Sequence, residues 1–292
     1  MSQRLGIVAA FSKPEAKELS TTVRQWLEAR GHTTVAEPDI LAGDRRNVDA
    51  IIVFGGDGLM MRMANAFPDI PLFGINFGKV GFLALVEQKD WTAALQLFLD
   101  GKYDIDESST LQASIYRDDK EYDQGWAIND VVIRGGNRMI EDEVYIDGYY
   151  VNTYPGDGMI VSTPRGSTAY CMAAGGPILT PGVRGFAVVP INCHSPIRTP
   201  MITSEEALIE IIHSNVHPGY MILDGQQTME VQKGDLIKIQ RGEHTFQLIR
   251  VTITNFFDAI RTKFNFQVRP DAVPSRLAIA PARDEADKVV SR

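Results

Sequence analysis

The sequence predicts a doubly wound α/β N-terminal domain followed by a mostly β, sandwich-like C-terminal domain. Three observations carry this. Over the first hundred residues, short apolar runs alternate with helical stretches, the pattern of a parallel sheet with crossover helices. Near residue 105 the alternation stops. Strand-like segments then follow one another, separated by turn pairs such as Asp147-Gly148, Lys233-Gly234 and Arg241-Gly242. The expected division is an α/β domain at 1–105, a β-rich domain at 106–254, a helix returning to the first domain at 255–267 and a disordered tail at 268–292.

In order, residues 5–11 form an apolar first strand. They are not a secretory leader, because Ser12-Lys13-Pro14-Glu15 follows where a small-residue cleavage site would stand. Ser12 is the expected cap of a helix with Pro14 in its first turn, and Leu19, Val23, Trp26 and Leu27 give it one apolar stripe. Gly31 ends that helix, residues 33–36 are a second strand, and 37–47 are a polar connection. Residues 50–54 read as a buried parallel strand that breaks into Gly55-Gly56-Asp57-Gly58, then a helix stopped by Pro68. Residues 71–76 are a further strand entering a second glycine loop at 77–83. Asp90 is the expected cap of a helix reaching Leu99. The β-rich part reads as strands at 111–116, 125–134, 142–146, 149–154, 159–163, 185–191, 207–212, 220–223, 228–231, 235–240 and 246–252, interrupted by a helix at 166–174. A final helix is expected at 256–264.

The totals narrow the function. The chain has 292 residues, a formal net charge of −8 and a sequence pI of about 5.2, which argues against general nucleic-acid binding. The two cysteines, Cys171 and Cys193, form no CxxC pair, so a disulfide framework and a zinc ribbon are unsupported and a reducing, cytoplasmic setting is expected. No run approaches the ~20 apolar residues of a membrane-spanning helix.

Three stretches bear chemistry. A strand, a glycine turn and a helix bring free backbone N–H groups and the positive end of a helix dipole to one point, which suits phosphate oxygens. Asp57 stands in the middle of that point, where an acid needs a reason. It can serve a metal, take a proton from an attacking hydroxyl, or simply cap a glycine-rich βα turn. The second stretch, residues 157–170, runs from a strand through Thr163-Pro164-Arg165-Gly166-Ser167-Thr168 into a short helix. Its hydroxyls can cap that helix or bond a ligand. The third is Asn129-Asp130, two polar residues inside an apolar strand. That local conflict marks either a functional pair, able to read a ring edge or a ribose diol, or an edge or bulge position.

In motif order the chain closely resembles the NAD kinase family over residues 5–265. The blocks are GGDG (55–58), GINFGKVGFL (74–83), INDVVI (128–133), DGMIVSTPRGSTAY (157–170) with AGGPILTP (174–181), PINCHS (190–195) and LDGQ (223–226). GGDG alone is shared with lipid kinases and phosphofructokinases; the long DG…STPxGSTAY block is the distinguishing one. The resemblance implies a phosphofructokinase-like α/β domain before a β-rich one, and ATP-dependent phosphorylation of the 2′-hydroxyl of the adenosine ribose of NAD. It implies Asp57 as proton acceptor with Gly58 beside it. Asn129 and Asp130 would hold the ribose and adenine side, and Asp157 the nicotinamide side. Thr168, Ala169, Tyr170, Cys171, Met172 and Ala173 would wrap adenine. Arg138, Asn192 and Gln226 occupy further positions of the family's pattern. It also implies homodimers or homotetramers.

Arg62 and Lys79 are nearby cations able to offset phosphate charge or to stand solvated. No protein-held metal is expected, and a divalent ion, Mg²⁺, would arrive with ATP; polyphosphate is an alternative donor. The chain departs from the pattern at Leu59 (usually Thr), at Arg165 (usually Thr or Ser), which bears on how a ligand's phosphate end is held, and at Arg198-Thr199-Pro200. Two other readings fit the residues: a lipid kinase of the GGDG type, and a non-catalytic NAD(P)-binding regulator on the same fold.

Overall fold

A computed structural model of the chain describes residues 2–42, 47–78, 81–194, 196, 198–251 and 256–264. The first part runs β1 (Arg4–Ala9), α1 (Pro14–Glu28), β2 (Thr33–Ala36), α2 (Glu37–Ala42), β3 (Ala50–Gly55), α3 (Asp57–Ala66), β4 (Leu72–Asn76), β5 (Val86–Glu87) and α4 (Trp91–Leu99). β1 to β4 pair in parallel in the order β2-β1-β3-β4. β3 is buried at all six positions, as a strand covered on both faces must be. Its side chains alternate. Ile52 and Phe54 pack with Val23, Leu27, Leu95 and Phe98 of α1 and α4, while Ile51 and Val53 pack with Met60, Met63 and Ala64 of α3. The three methionines of α3 are therefore core.

The second part holds β6 (Tyr103–Arg117), β7 (Lys120–Ala127), β8 (Asp130–Gly135), β9 (Ile140–Ile146), β10 (Tyr149–Gly156), β11 (Gly158–Ser162), α5 (Tyr170–Ala173), β12 (Gly185–Ile191), β13 (Met201–Ser204), β14 (Ile209–His213), β15 (Gly219–Leu223), β16 (Gln227–Val231), β17 (Leu236–Val251) and α6 (Phe256–Phe264). Among the described residues the strands form two sheets. One has eleven strands, with the path β10-β9-β14-β17-β4-β3-β1-β2 and with β5, β6 and β7 off it. The other has six, in the order β13-β12-β11-β8-β15-β16. The two face each other across one apolar core that includes Val131, Ile133, Met159, Val161, Ile209 and Ile237. The outer face of the six-stranded sheet, with Val132, Ile160 and Val189, is covered by Cys171 of α5 and by Leu179.

Several elements differ from the sequence reading. The boundary expected near residue 105 falls inside β6, and the two strands read at 235–240 and 246–252 are one, β17. The Arg241-Gly242 turn is a register irregularity within it, where a Cβ on Gly242 would lie 2.4 Å from Thr110 Oγ1. β17 pairs with β6 from Leu236↔Tyr116 to Val251↔Tyr103 and meets β4 at Leu248↔Leu72, so it joins both parts of the chain. The strand read at 125–134 is two, and the chain changes sheets at Ile128-Asn129. The connection at 37–47 contains α2, anchored by the buried Ile40 against Gly6, a single apolar residue that left no periodic signal. The helix at 166–174 is a 3-10 turn at Gly166–Thr168 followed by α5. Lys13, not Ser12, precedes α1, and neither Lys13 nor Asp90 makes a side-chain cap bond.

α6 lies against the second glycine loop, with Phe264 and Phe256 rings 5.5 and 6.0 Å from that of Phe82. The tail at 268–292 lies outside the described residues, as do Lys79 and Ser195. Among the described residues no helix is long and apolar enough to cross a membrane.

Candidate active site

Asp57 is the first residue of α3, where the helix dipole favours an acid. It caps a loop more than its own helix. Oδ2 accepts the Phe82 N–H (2.9 Å), and Oδ1 accepts those of Leu83 (3.0 Å) and Ala84 (3.2 Å). The second glycine loop is thereby fixed over the first. Gly81 is needed there, because a Cβ would fall 2.2 Å from Asp57 Oδ1. Gly55 is set by packing too, with Leu59 Cδ2 at 2.6 Å from its would-be Cβ. A Cβ on Gly56 or Gly58 would meet nothing within 4 Å, and the Gly56 backbone (φ −111°, ψ −175°) is extended. Neither of these two glycines is required by the chain's own packing. The loop lies at the carboxyl end of β3, where ligands of such sheets bind. Lys13, which the sequence reading did not select, bonds the Phe77 carbonyl, while the Phe77 N–H bonds Gly55 O (2.9 Å).

The second cluster forms where the chain changes sheets. The Asp224 carboxylate accepts the backbone N–H groups of Ile128 (2.8 Å), Asn129 (2.7 Å) and Asp130 (3.1 Å). The Asn129 carbonyl accepts from Thr163 N (2.9 Å) and Ser162 Oγ (3.3 Å), and Thr163 Oγ1 donates to Ile128 O (2.6 Å). A Cβ on Gly166 would sit 2.0 Å from Asn129 O, which explains the glycine of the STPRGST turn. The two motifs are thus one knot. Beside it a cleft of about 320 Å³ opens, lined by Asn129, Asp130, Arg134, Ala169, Tyr170 and Asp224 among others. Asp130 is only 5% exposed; burial first, and then the charge of Asp224, push its carboxyl up to about 7. Burial also raises Asp224, against the opposing pull of the three amides and of the Asn65 side chain from α3.

The other expected residues divide. Ala169 and Tyr170 line the cleft, and Cys171 is buried beneath it, its thiol pushed up to about 11 by burial. Met172 and Ala173 follow on α5. Thr168 lines a separate small cavity with Phe82, Arg165 and Phe256. Asp157 and Asn192 meet each other, Asn192 Nδ2 donating to Asp157 Oδ2 (2.8 Å). They lie at the Arg134 end of the β8–β11 pair, since Gly158 pairs with Arg134 and Ser162 with Asp130.

Four residues are not part of the cleft's lining. Arg138 lies on the exposed 136–139 loop, with Nη1 3.2 Å from His217 Nε2, and Gln226 is exposed in the β15–β16 turn. Arg62 is paired with Glu37 (2.7 Å) on the surface. Arg165 is no phosphate-end residue either: it is buried, 2.6 Å from Asp106 and 3.0 Å from Ser108 Oγ. Arg134, Asn65 and Asp224 were not selected from the sequence. Alternation along β8 puts Arg134 on the face of Asp130, a signal that was available. Among the described residues no group of three or more His, Cys, Asp or Glu is placed to hold a metal ion.

Comparison with known proteins decides the family. The ATP-NAD kinase N-terminal domain matches residues 37–103 and the ATP-NAD kinase C-terminal domain residues 128–251. The chain is 50% identical over 276 residues to an NAD kinase of Thermomicrobium roseum, covering 94% of this chain and 96% of that one. The chain belongs to the NAD kinase family. Its fold is shared with yeast NADH kinase complexed with NADH (TM-score 0.82, 19% identity, covering 95% of this chain and 90% of that one). It is shared as well with an Archaeoglobus fulgidus NAD kinase in complex with ATP (TM-score 0.72, 24% identity, 89% and 99%). The α/β and β-rich parts described above are those of NAD kinases.

Proposed function

We propose that this chain phosphorylates NAD, transferring the γ-phosphate of ATP to the 2′-hydroxyl of the adenosine ribose to give NADP. The observation that carries the reading is the linkage between the two motif clusters. Asp57 begins α3, and Asn65, about 12 Å further along that helix, lies beside the Asp224 that holds Asn129 and Asp130. Phosphoryl transfer asks for positioning, charge stabilisation and a group aimed at the attacking hydroxyl. In this reading Asp57 takes the proton of the 2′-hydroxyl, and the N–H groups at the start of α3 receive phosphate. Gly56 and Gly58, which the fold leaves unobstructed, let phosphate approach the backbone.

Asn129, Asp130, Ala169 and Tyr170 bind the adenosine side, and Asp157 with Asn192 the nicotinamide side. Mg²⁺ enters as part of the ATP complex. Arg138 and Gln226 keep only the support of the family resemblance. Two buried free cysteines favour a reducing compartment such as the cytoplasm. Assembly into homodimers or homotetramers belongs to the same reading, and sedimentation tests it. NADP formation, assayed with NAD and NADH as acceptors and ATP and polyphosphate as donors, tests the activity. ATP-dependent NADP is the expected product. A chain that binds NAD by titration calorimetry without forming NADP is a regulator instead.

A further inference from the structure

The Asp224 carboxylate is a half-buried acid for which the reaction assigns no task. It sits on a left-handed backbone (φ 51°) at the β15–β16 turn, a conformation that costs a residue other than Gly, Asn or Asp more. From there it collects three consecutive amides from a segment some 95 residues away, with the Asn65 side chain of α3 beside it. A hairpin turn needs none of these bonds. Their effect is to hold the Asn129-Asp130 pair at a fixed height above α3, with a negative charge next to Asp130.

We infer that Asp224 is the positioning residue of the acceptor site: it orients the Asn129-Asp130 pair relative to α3 and sets its own carboxylate beside that pair at the wall of the cleft. The inference rests on the proposed NAD kinase reading, in which the cleft receives the adenosine side of NAD. Two neighbouring carboxyls in a buried setting do not both ionise, and the three amides settle which one stays charged. Asp224 is the better-stabilised anion; Asp130 accepts no comparable set of amides and retains the proton up to about pH 7. The groups facing Asp130 are few. They are Asp224 from the hairpin turn, the neutral Cys171 thiol from α5, Tyr170 at the cleft wall and Arg134 along its own strand. A protonated carboxyl beside a carboxamide presents donors and acceptors together, the set that reads a ribose hydroxyl or a ring nitrogen.

The test uses the full chain with ATP, Mg²⁺ and NAD. Asn tolerates the left-handed backbone, so Asp224→Asn keeps the turn but places an N–H₂ group among amide donors. The expected result is a rise in KM for NAD of about 10-fold with kcat within about 3-fold, a loss of binding and not of chemistry. In the parent chain, kcat/KM for NAD should fall as pH rises through about 7, as Asp130 loses its proton. In Asp224→Asn that break should move to lower pH by roughly half a unit to one unit, because one source of the raised affinity for the proton is gone. Asn65→Ala, which leaves the three amide bonds in place, should change KM and the break in the same directions but less, and serves if Asp224→Asn does not fold. Asp130→Ala, which removes donor and acceptor together, should weaken NAD binding, while Asp130→Asn, a neutral carboxamide that keeps both, should bind NAD with no break.

Unchanged KM in both the Asp224 and Asn65 variants overturns the inference. So does a raised KM with an unmoved break, which would make Asp224 a scaffold residue alone. If Asp130→Ala also leaves NAD binding unchanged, the placement of NAD in this cleft fails with it. If Asp130→Ala weakens binding and the Asp224 and Asn65 variants do not, only the role of Asp224 is lost.

Discussion

Asp57 and Asp224 solve the same problem in different surroundings. Each accepts three consecutive backbone N–H groups from a distant segment, Phe82 to Ala84 for one and Ile128 to Asp130 for the other. Asp57 does so from the N-terminus of a helix, half-buried, at the mouth of the parallel sheet. Asp224 does so from a hairpin turn beside a second, buried carboxyl. A carboxylate at the end of a helix can tie down a loop and still face a ligand. One inside a knot of backbone serves chiefly through what it holds. The pairing also shows why mutation of either acid will mix chemistry with architecture.

Asp57→Asn is expected to separate them most sharply. It should lower turnover by at least ~10²-fold while titration calorimetry finds NAD binding largely retained. Turnover near that of the parent chain would remove Asp57 as the base. Gly81→Ala attacks the same carboxylate from the loop side, since the added Cβ has nowhere to go but into Asp57 Oδ1. A loss of about 10-fold in kcat with a destabilisation of about 1–3 kcal/mol is expected, read from initial rates and urea melts. If it matches the parent in both, the loop is not held as described.

Stability against pH probes the other acid. The folded carboxyl of Asp130 is raised to about 7, above its unfolded value, so the folded state binds the extra proton between those values. Its contribution is therefore full at low pH and is lost as pH rises toward 7. Asp130→Asn should gain stability relative to the parent chain at pH 8 and little at pH 4, in thermal melts at matched ionic strength. A gain equal at both pH values would contradict the shifted carboxyl. The smallest effect belongs to Arg62→Ala, which breaks an exposed pair with Glu37. A change within about 0.5 kcal/mol and under about 2-fold in kcat/KM is expected. A larger activity loss would return Arg62 to the phosphate site.

The parallel sheet, the GGDG turn and the return of a helix at Phe256 were legible because their signals are local: an apolar run, glycines, a period of 3.6. Asn129-Asp130 was legible as a conflict, two polar residues in an apolar stretch, although the sheet change behind it was not. Asp224 was invisible in its role, since Asp-Gly between two strands already reads as a turn, and its partners lie some 95 residues away. Arg165 shows the converse. A charged residue in a ligand-binding motif looked functional, and its partner, Asp106, is supplied by a strand that no spacing rule connects to it. Arg138 and Gln226 came from family resemblance alone, and neither is among the residues that line the cleft.

β17 has a further meaning for the whole molecule. Sixteen residues of strand, with one register irregularity at Arg241-Gly242, run from the sandwich core to the parallel sheet and are matched to β6 on both sides of that irregularity. β17 is the strand common to both parts, pairing with β6 and β14 on one side of the border and meeting β4 on the other. Cutting the chain at the apparent border would take β17 away from β4 and from the apolar cluster that its Ile249 and Val251 complete, so the first part should not exist as a separate folded piece.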